Sequence, residues 1–132
     1  MAVAIDEATR ALLDGKNFAT VATLNPDGGP QTSVVWILRE GDTVVFSTTA
    51  GKRKALNLTR DPRISLTVFD VENPYHSVEI RGTAELSQDP HKSLPTRLSH
   101  KYLGEDAPAE PDVVIRLIVR VIPRRINTFS GR

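Results

Sequence analysis

The chain contains no cysteine, a single tryptophan, and aromatic residues at only 5% of its length. Without a thiol there is neither a disulfide framework nor a cysteine nucleophile, which agrees with a reducing, cytoplasmic setting. No apolar run approaches the roughly 18 residues of a membrane span, so no membrane partner is expected. The start Met1-Ala2-Val3-Ala4-Ile5-Asp6 lacks a charged region followed by an apolar stretch, so no secretory leader is expected either. An excess of one charge sign is also missing. The 17 basic and 16 acidic side chains leave a net charge of +1, which excludes bulk attraction to nucleic acid or to an anionic membrane. No GxSxG elbow, Walker loop, GxGxxG turn or HExxH pair occurs, which removes the best-marked enzyme classes. The three histidines, His76, His91 and His100, are far apart and lack ligand spacing, so no metal site is expected. Asp42, Asp70 and Glu72 fall at strand ends or turns, and nothing pairs them for acid–base work.

What remains is an ordinary globular composition, 39% hydrophobic and 25% charged over 132 residues, enough for one domain spanning 1–132. Asp6 is placed to cap a short helix through Leu13, with Gly15 as its stop. The period then changes from helical to alternating. Phe18–Leu24 and Pro30–Leu38 read as two strands around the turn Asn25-Pro26-Asp27-Gly28-Gly29, and Thr43–Thr48 reads as a third after Glu40-Gly41-Asp42. A helix follows from Lys52 to Arg60 and stops at Asp61-Pro62. Ile64–Val71 and Ser77–Leu86 are the next strands. Asp89-Pro90 opens a helical segment, interrupted or restarted by Pro95, that runs to about Leu103. An acidic, proline-bearing loop leads to a strand over Val113–Ile122 and a shorter one over Arg125–Phe129. Six or seven short strands in mostly sequential hairpins with short helices between predict a small, mainly β, antiparallel barrel. Val21, Val35, Ile37, Val45, Leu66, Val68, Ile80, Ile115 and Leu117 are expected to fill it, so a bulky ligand must sit on an outer face or between two copies.

One segment breaks the usual charge rule for helices. Lys52, Arg53 and Lys54 stand at the first turn of their helix, where the helix dipole is already positive and several amides lack partners. A phosphate or carboxylate would meet amides, dipole and cations together, as at many sites for phosphorylated cofactors. The alternative is a solvated basic face. Trp36, on the second strand with Gln31, Thr32 and Ser33, reads equally as a packed aromatic or as a cofactor contact.

Four segments together carry a family likeness: Gly-Gly-Pro-Gln-Thr-Ser at 28–33, Ser-Thr-Thr-Ala-Gly-Lys-Arg-Lys-Ala-Leu-Asn-Leu at 47–58, Asp-Pro-Arg at 61–63 and Ile-Arg-Gly-Thr-Ala-Glu-Leu at 80–86. They resemble the pyridoxamine 5′-phosphate oxidase-like, FMN-binding split-barrel superfamily, and within it most of all the actinobacterial branch of deazaflavin (coenzyme F420)-dependent oxidoreductases. The resemblance runs from about Phe18 to Leu86. It implies a six-stranded antiparallel split β-barrel, a homodimer, and a flavin-type cofactor in each of two grooves between the subunits. By motif, Lys52, Arg53 and Lys54 are expected to cradle the cofactor phosphate, with Asn57 one turn beyond Lys54. Ser47, Thr48 and Thr49 resemble the residues that approach the ribityl chain and ring. Gln31, Ser33, Val35 and Trp36 resemble the strand along the ring system, and Tyr75 with His76 is expected to reach the ring from the partner subunit. The implied activity is hydride transfer from reduced F420 to a conjugated or heteroaromatic small molecule. The alternative is an FMN protein, either an oxidase of pyridoxamine phosphate type or a non-enzymatic flavin or deazaflavin carrier. Oxidases of that type usually continue into a further Arg- and Trp-containing segment, whereas this sequence stops at Ser130-Gly131-Arg132, an expectation against the oxidase.

Overall fold

The computed structural model describes residues 2–131. Asp6 caps α1 (Glu7–Asp14) as its sequence predicts, its side chain accepting from Thr9 N–H at 2.8 Å. The strands are β1 (Ala19–Leu24), β2 (Pro30–Val35), β3 (Leu38–Glu40), β4 (Thr43–Thr49), β5 (Arg63–Asp70), β6 (Asn73–Gln88) and β7 (Arg116–Ser130). Two further helices, α2 (Arg53–Arg60) and α3 (Ser93–Leu103), fill out the chain. All strand pairs are antiparallel, in the order β2-β1-β5-β6-β7-β4-β3. The two ends of that order are consecutive in the chain and separated only by Trp36 and Ile37. The sheet is therefore a barrel split at one seam, bridged by a bent strand rather than by ladder hydrogen bonds.

This bend corrects the expectation of a continuous second strand over 30–38 and explains why seven strands replace six. Ile37 is wholly buried at the break, where it has left both ladders. Its N–H donates to Tyr102 Oη at 3.2 Å, and its carbonyl accepts from Lys101 Nζ at 2.8 Å. Residues of α3 thus supply the partners a strand would have given, since a buried backbone group left unpaired is costly. The turn between β1 and β2 needs Gly28, whose φ is +88°.

The opposite correction applies near the C-terminus. The two strands expected over 113–122 and 125–129 are one strand, β7, which starts only at Arg116. Pro123 lies inside it, tolerated because the ladder slips there: Arg81 pairs with Arg125 but Gly82 with Pro123, leaving Arg124 as the bulged residue. Gly82 is obligatory at this point, because a Cβ would sit 2.1 Å from the Ile122 carbonyl oxygen. The β6 strand likewise begins at Asn73 rather than Ser77, with Asn73 paired to Asp70 of β5 and His76 to Ser130 of β7.

The barrel core holds Val21, Ile37, Val44, Phe46, Leu66, Val68, Ile80, Val119 and Val121 with their neighbours, and Val35 packs against it from partial burial. Val45, expected in the barrel, instead points outward into a second cluster with Leu94 and Leu98 beneath α3. Ile115 is half-exposed because it precedes β7, and Leu117 is only partly buried. That second cluster seats α3. Asp89 caps the helix, its Oδ1 accepting from Ser93 N–H and its Oδ2 from Leu94 N–H. Pro95 is harmless in the first turn, where its missing N–H has no intrahelical partner to lose.

Candidate functional site

A groove of about 430 Å³ opens where β2, the end of β4, the start of α2 and α3 meet. One wall comes from the β4–α2 turn and the start of β7 and carries Ser47, Thr48, Thr49, Lys52, Lys54 and Arg116. The other comes from β2 and α3 and is apolar, including Val34, Val35, Trp36, Leu98 and Leu103. Of the sequence-predicted residues, Val35, Trp36, Ser47, Thr48, Thr49, Lys52 and Lys54 are brought together here.

The basic turn keeps the unfavourable electrostatics that its sequence announces. Lys52 is the N-cap of α2 with no side-chain cap, and the first helical hydrogen bond runs from Leu56 N–H to the Lys52 carbonyl. The amides of Arg53, Lys54 and Ala55 thus precede the ladder. No carboxylate lies within ion-pair distance of Lys52, Arg53 or Lys54 among the described residues. Burial, and secondarily the neighbouring Lys52, holds the half-buried Lys54 ammonium below the usual lysine pKa. A second anomaly sits on the same wall. Ser47 Oγ is buried without a hydrogen-bond partner, and so is Ser33 Oγ on β2. Buried hydroxyls are normally satisfied, and of these two only Ser47 lines the groove. Unpaired cations, free helix-start amides and an orphaned hydroxyl around one groove match the needs of a phosphorylated cofactor.

Six expected residues, Gln31, Ser33, Arg53, Asn57, Tyr75 and His76, do not line this groove. Asn57 is fully buried, and it does not face the groove as the one-turn spacing implies. Its Nδ2 donates to Thr23 Oγ1 and Asn25 Oδ1, each at 3.0 Å, and Thr23 Oγ1 in turn donates to Gln31 Oε1 at 2.9 Å. Asn57 and Gln31 therefore belong to a network that ties α2 to the β1–β2 hairpin, which fixes the cationic turn in place. Arg53 shares a separate open groove with Gln31, Asn25 and Asp27. Tyr75 and His76, at the start of β6, also line no part of the first groove. His76 lies beside Asp70, Nδ1 to Oδ2 at 4.0 Å, in a cleft with α1 and the β5–β6 turn.

Residues not singled out from the sequence back the groove at Trp36 or, like Leu98 and Arg116, line it. Tyr102 stacks on Trp36 with centroids 5.1 Å apart and planes within 8°, and Phe18 stacks on the same tyrosine at 5.6 Å. The Tyr102 hydroxyl lies 2.5 Å from the Asn17 carbonyl oxygen, and Lys101 Nζ sits 4.8 Å from the ring centroid. Leu94, Leu98 and Tyr102 recur every four residues, a helical stripe that signals burial but not what it is buried against. Arg116 is held in place by Glu110 through two contacts of 2.9 and 3.1 Å.

Comparison with known proteins adds the family. The family described as "Pyridoxamine 5'-phosphate oxidase" matches residues 5–130. A pyridoxine/pyridoxamine 5'-phosphate oxidase of Kineococcus radiotolerans is 37% identical over 79 residues, 60% of this chain and 35% of that protein. One of Bordetella pertussis is 40% identical over 65 residues, 48% of this chain and 31% of its own length. The matches thus span about a third of the length of these curated relatives. Among solved structures, one described as an F420 reductase superimposes with a TM-score of 0.85 at 29% identity, covering 93% of this chain and 98% of the other. A conserved hypothetical protein of Mycobacterium tuberculosis shares the fold with a TM-score of 0.81 at 24% identity, covering 99% of this chain and 88% of that one.

Proposed function

Because the chain belongs to the pyridoxamine 5'-phosphate oxidase family, we propose that it is an oxidoreductase using coenzyme F420 to reduce a conjugated or heteroaromatic small molecule. The observation that carries the choice of cofactor is the likeness to an F420 reductase over nearly the whole of both chains. The unpaired Lys52 and Lys54 and the orphaned Ser47 hydroxyl support a phosphorylated cofactor in the groove.

In this reading Lys52, Lys54 and the first amides of α2 hold the cofactor phosphate, where the anion reverses an otherwise repulsive charge arrangement. Ser47, Thr48 and Thr49 meet the polar chain between phosphate and ring, and Ser33, Val35 and Trp36 border the ring itself. Arg53, in the neighbouring groove with Gln31 and Asp27, would meet a more distant anionic part of the coenzyme, and Asn57 would keep the α2 start in position. Tyr75 and His76 contribute from the second subunit of a homodimer. When bound, a reduced deazaflavin would supply a hydride to the acceptor, whose other hydrogen would come as a proton from water or from a side chain. The protein's own contribution is orientation and exclusion of water, so no nucleophile is needed.

A second reading, an FMN protein acting as an oxidase or as a flavin carrier, is favoured by the identity to the two pyridoxine/pyridoxamine 5'-phosphate oxidases. Titration separates the two. The purified protein is titrated with oxidised F420 by coenzyme fluorescence, and with FMN at the same ionic strength. Tighter binding of F420, followed by loss of reduced coenzyme on addition of an acceptor, supports the reductase. Preference for FMN moves the chain to the second reading, and binding of F420 without turnover over a panel of acceptors leaves a carrier.

A further inference from the structure

We propose that a groove on the outer face of the sheet, where β5, β6 and β7 run beside the β1–β2 hairpin, is a second anion site that takes a phosphate monoester with a small apolar body. The groove has a volume of about 580 Å³ and shares no residue with the groove assigned to the cofactor. Arg63, Arg81 and Arg124 stand around it, and Ala22, Leu24 and Pro30 give it an apolar side.

The arginines are far apart in sequence and are gathered by strand register. Ala22, Ser65, Arg81 and Arg125 follow one another across β1, β5, β6 and β7, and Arg63 pairs with Thr83 in the next row. The bulge adds Arg124, whose Nη2 donates to Thr83 Oγ1 at 3.2 Å. Ala22, Ser65 and Thr83 are short side chains among long ones, which leaves a depression in the face. Arg81 is four residues along β6 from Ser77, which Phe69 and Phe129 flank in register, so the groove occupies the other end of that face. Arg81 and Arg125 stand directly opposite each other, an arrangement that repels. Asp61 engages Arg63 at 2.7 Å and Glu79 engages Arg81 at 3.2 Å. Among the described residues no carboxylate lies within ion-pair distance of Arg124 or Arg125. Two guanidinium groups without a counter-charge match the nearly two charges of a phosphate monoester at neutral pH, and their planar donor forks suit its oxygens. The apolar side gives an organic body something to lie against, as in most small-molecule sites.

The test is a heteronuclear NMR titration with phenyl phosphate, inorganic phosphate and phenol at constant ionic strength, read at backbone amides and at arginine Nε–H groups. Phenyl phosphate is expected to shift the Nε–H signals of Arg81 and Arg124 and the amides of Ser65 and Thr83 saturably. The amides of Arg53, Lys54 and Ala55 report the cofactor cradle separately. Arg124→Gln, at an exposed position, is expected to weaken the first response about tenfold, the low end for a lost hydrogen bond to a charged group, and to leave the second unchanged. Arg81→Gln is expected to do the same and carries the test if Arg124→Gln does not fold. No saturable shift in this groove, shifts confined to the start of α2, or equal affinity of Arg124→Gln and wild type overturns the proposal. Inorganic phosphate binding as tightly as phenyl phosphate overturns the organic body, and phenol binding as tightly overturns the anion. The same preparation is titrated with F420 and FMN: binding of neither defeats the reductase reading and leaves this site, whereas their binding without a response at Arg81 and Arg124 to phenyl phosphate defeats this site alone.

Discussion

Lys54 is a cation that the fold half-buries next to another cation, with no carboxylate in ion-pair distance among the described residues. Its removal is therefore expected to leave the ligand-free protein no less stable in thermal melts, while weakening the cofactor by about 1.5–3 kcal/mol, the range for a lost hydrogen bond to a charged group. Equal affinity of Lys54→Ala and wild type in the fluorescence titration refutes the cradle. Asn57 is expected to behave the opposite way. Replacing it with alanine strands Thr23 and Asn25 in the α2–hairpin network and costs about 1–3 kcal/mol of stability. Chemical denaturation measures this, and the cofactor loses affinity only through the looser turn. The contrast between neighbouring positions shows what was legible at this scale. The sequence exposes the cationic triplet because charge at a helix start is anomalous wherever the helix lies. It does not reveal that Asn57 faces the hairpin, since a one-turn spacing gives the angle between two side chains but not which of them meets the core.

At the scale of elements, the β6–β7 ladder depends on one close approach. Gly82→Ala drives a methyl group into the Ile122 carbonyl at the bulge, and is expected to destabilise by about 3 kcal/mol or more, at the upper end for overpacking, because backbone cannot turn aside as a side chain can. A midpoint of unfolding close to wild type counts against the bulge geometry. The docking of α3 makes a pH prediction. Burial lowers the Lys101 pKa from 10.5 to about 8, against a smaller opposing effect of Asp14. Between those values the unfolded chain holds more protons on this residue than the folded one, so stability from this group increases as pH rises from about 8 to 10.5. Lys101→Met removes that increment, and melts recorded across the window are expected to show a flatter slope than wild type. The element pattern itself was largely readable, because alternation marks β1 and β5 and turn residues before an apolar run mark β4. The break at Trp36-Ile37 and the joining of the last two segments into β7 were not readable. Both depend on partners remote in sequence, Lys101 and Tyr102 for the break and Gly82 for the bulge.

At the scale of the whole molecule, the outer face of β5, β6 and β7 carries Phe69 and Phe129 on either side of Ser77 in register, both about half-exposed. Two large apolar rings adjoining one small residue form a surface that another chain can cover. The proposed homodimer is expected to sediment at twice the chain mass, and Phe69→Glu combined with Phe129→Glu to shift it toward monomer. A wild-type monomer at micromolar concentration removes the intersubunit part of the proposed site, including the roles of Tyr75 and His76. No helix among the described residues is long and apolar enough to cross a membrane.

The sequence by itself determined the mainly β class, most strand positions, the basic helix start and the family likeness, because each is written in local spacing and charge. Only the tertiary structure decided that Val45 packs under α3 and not in the barrel, that Asn57 ties α2 to the β1–β2 hairpin, and that Tyr102 and Phe18 stack behind Trp36. These arrangements join residues up to 84 positions apart, as between Phe18 and Tyr102. Periodicity says that a residue will be buried, but its partner is chosen by how the elements pack.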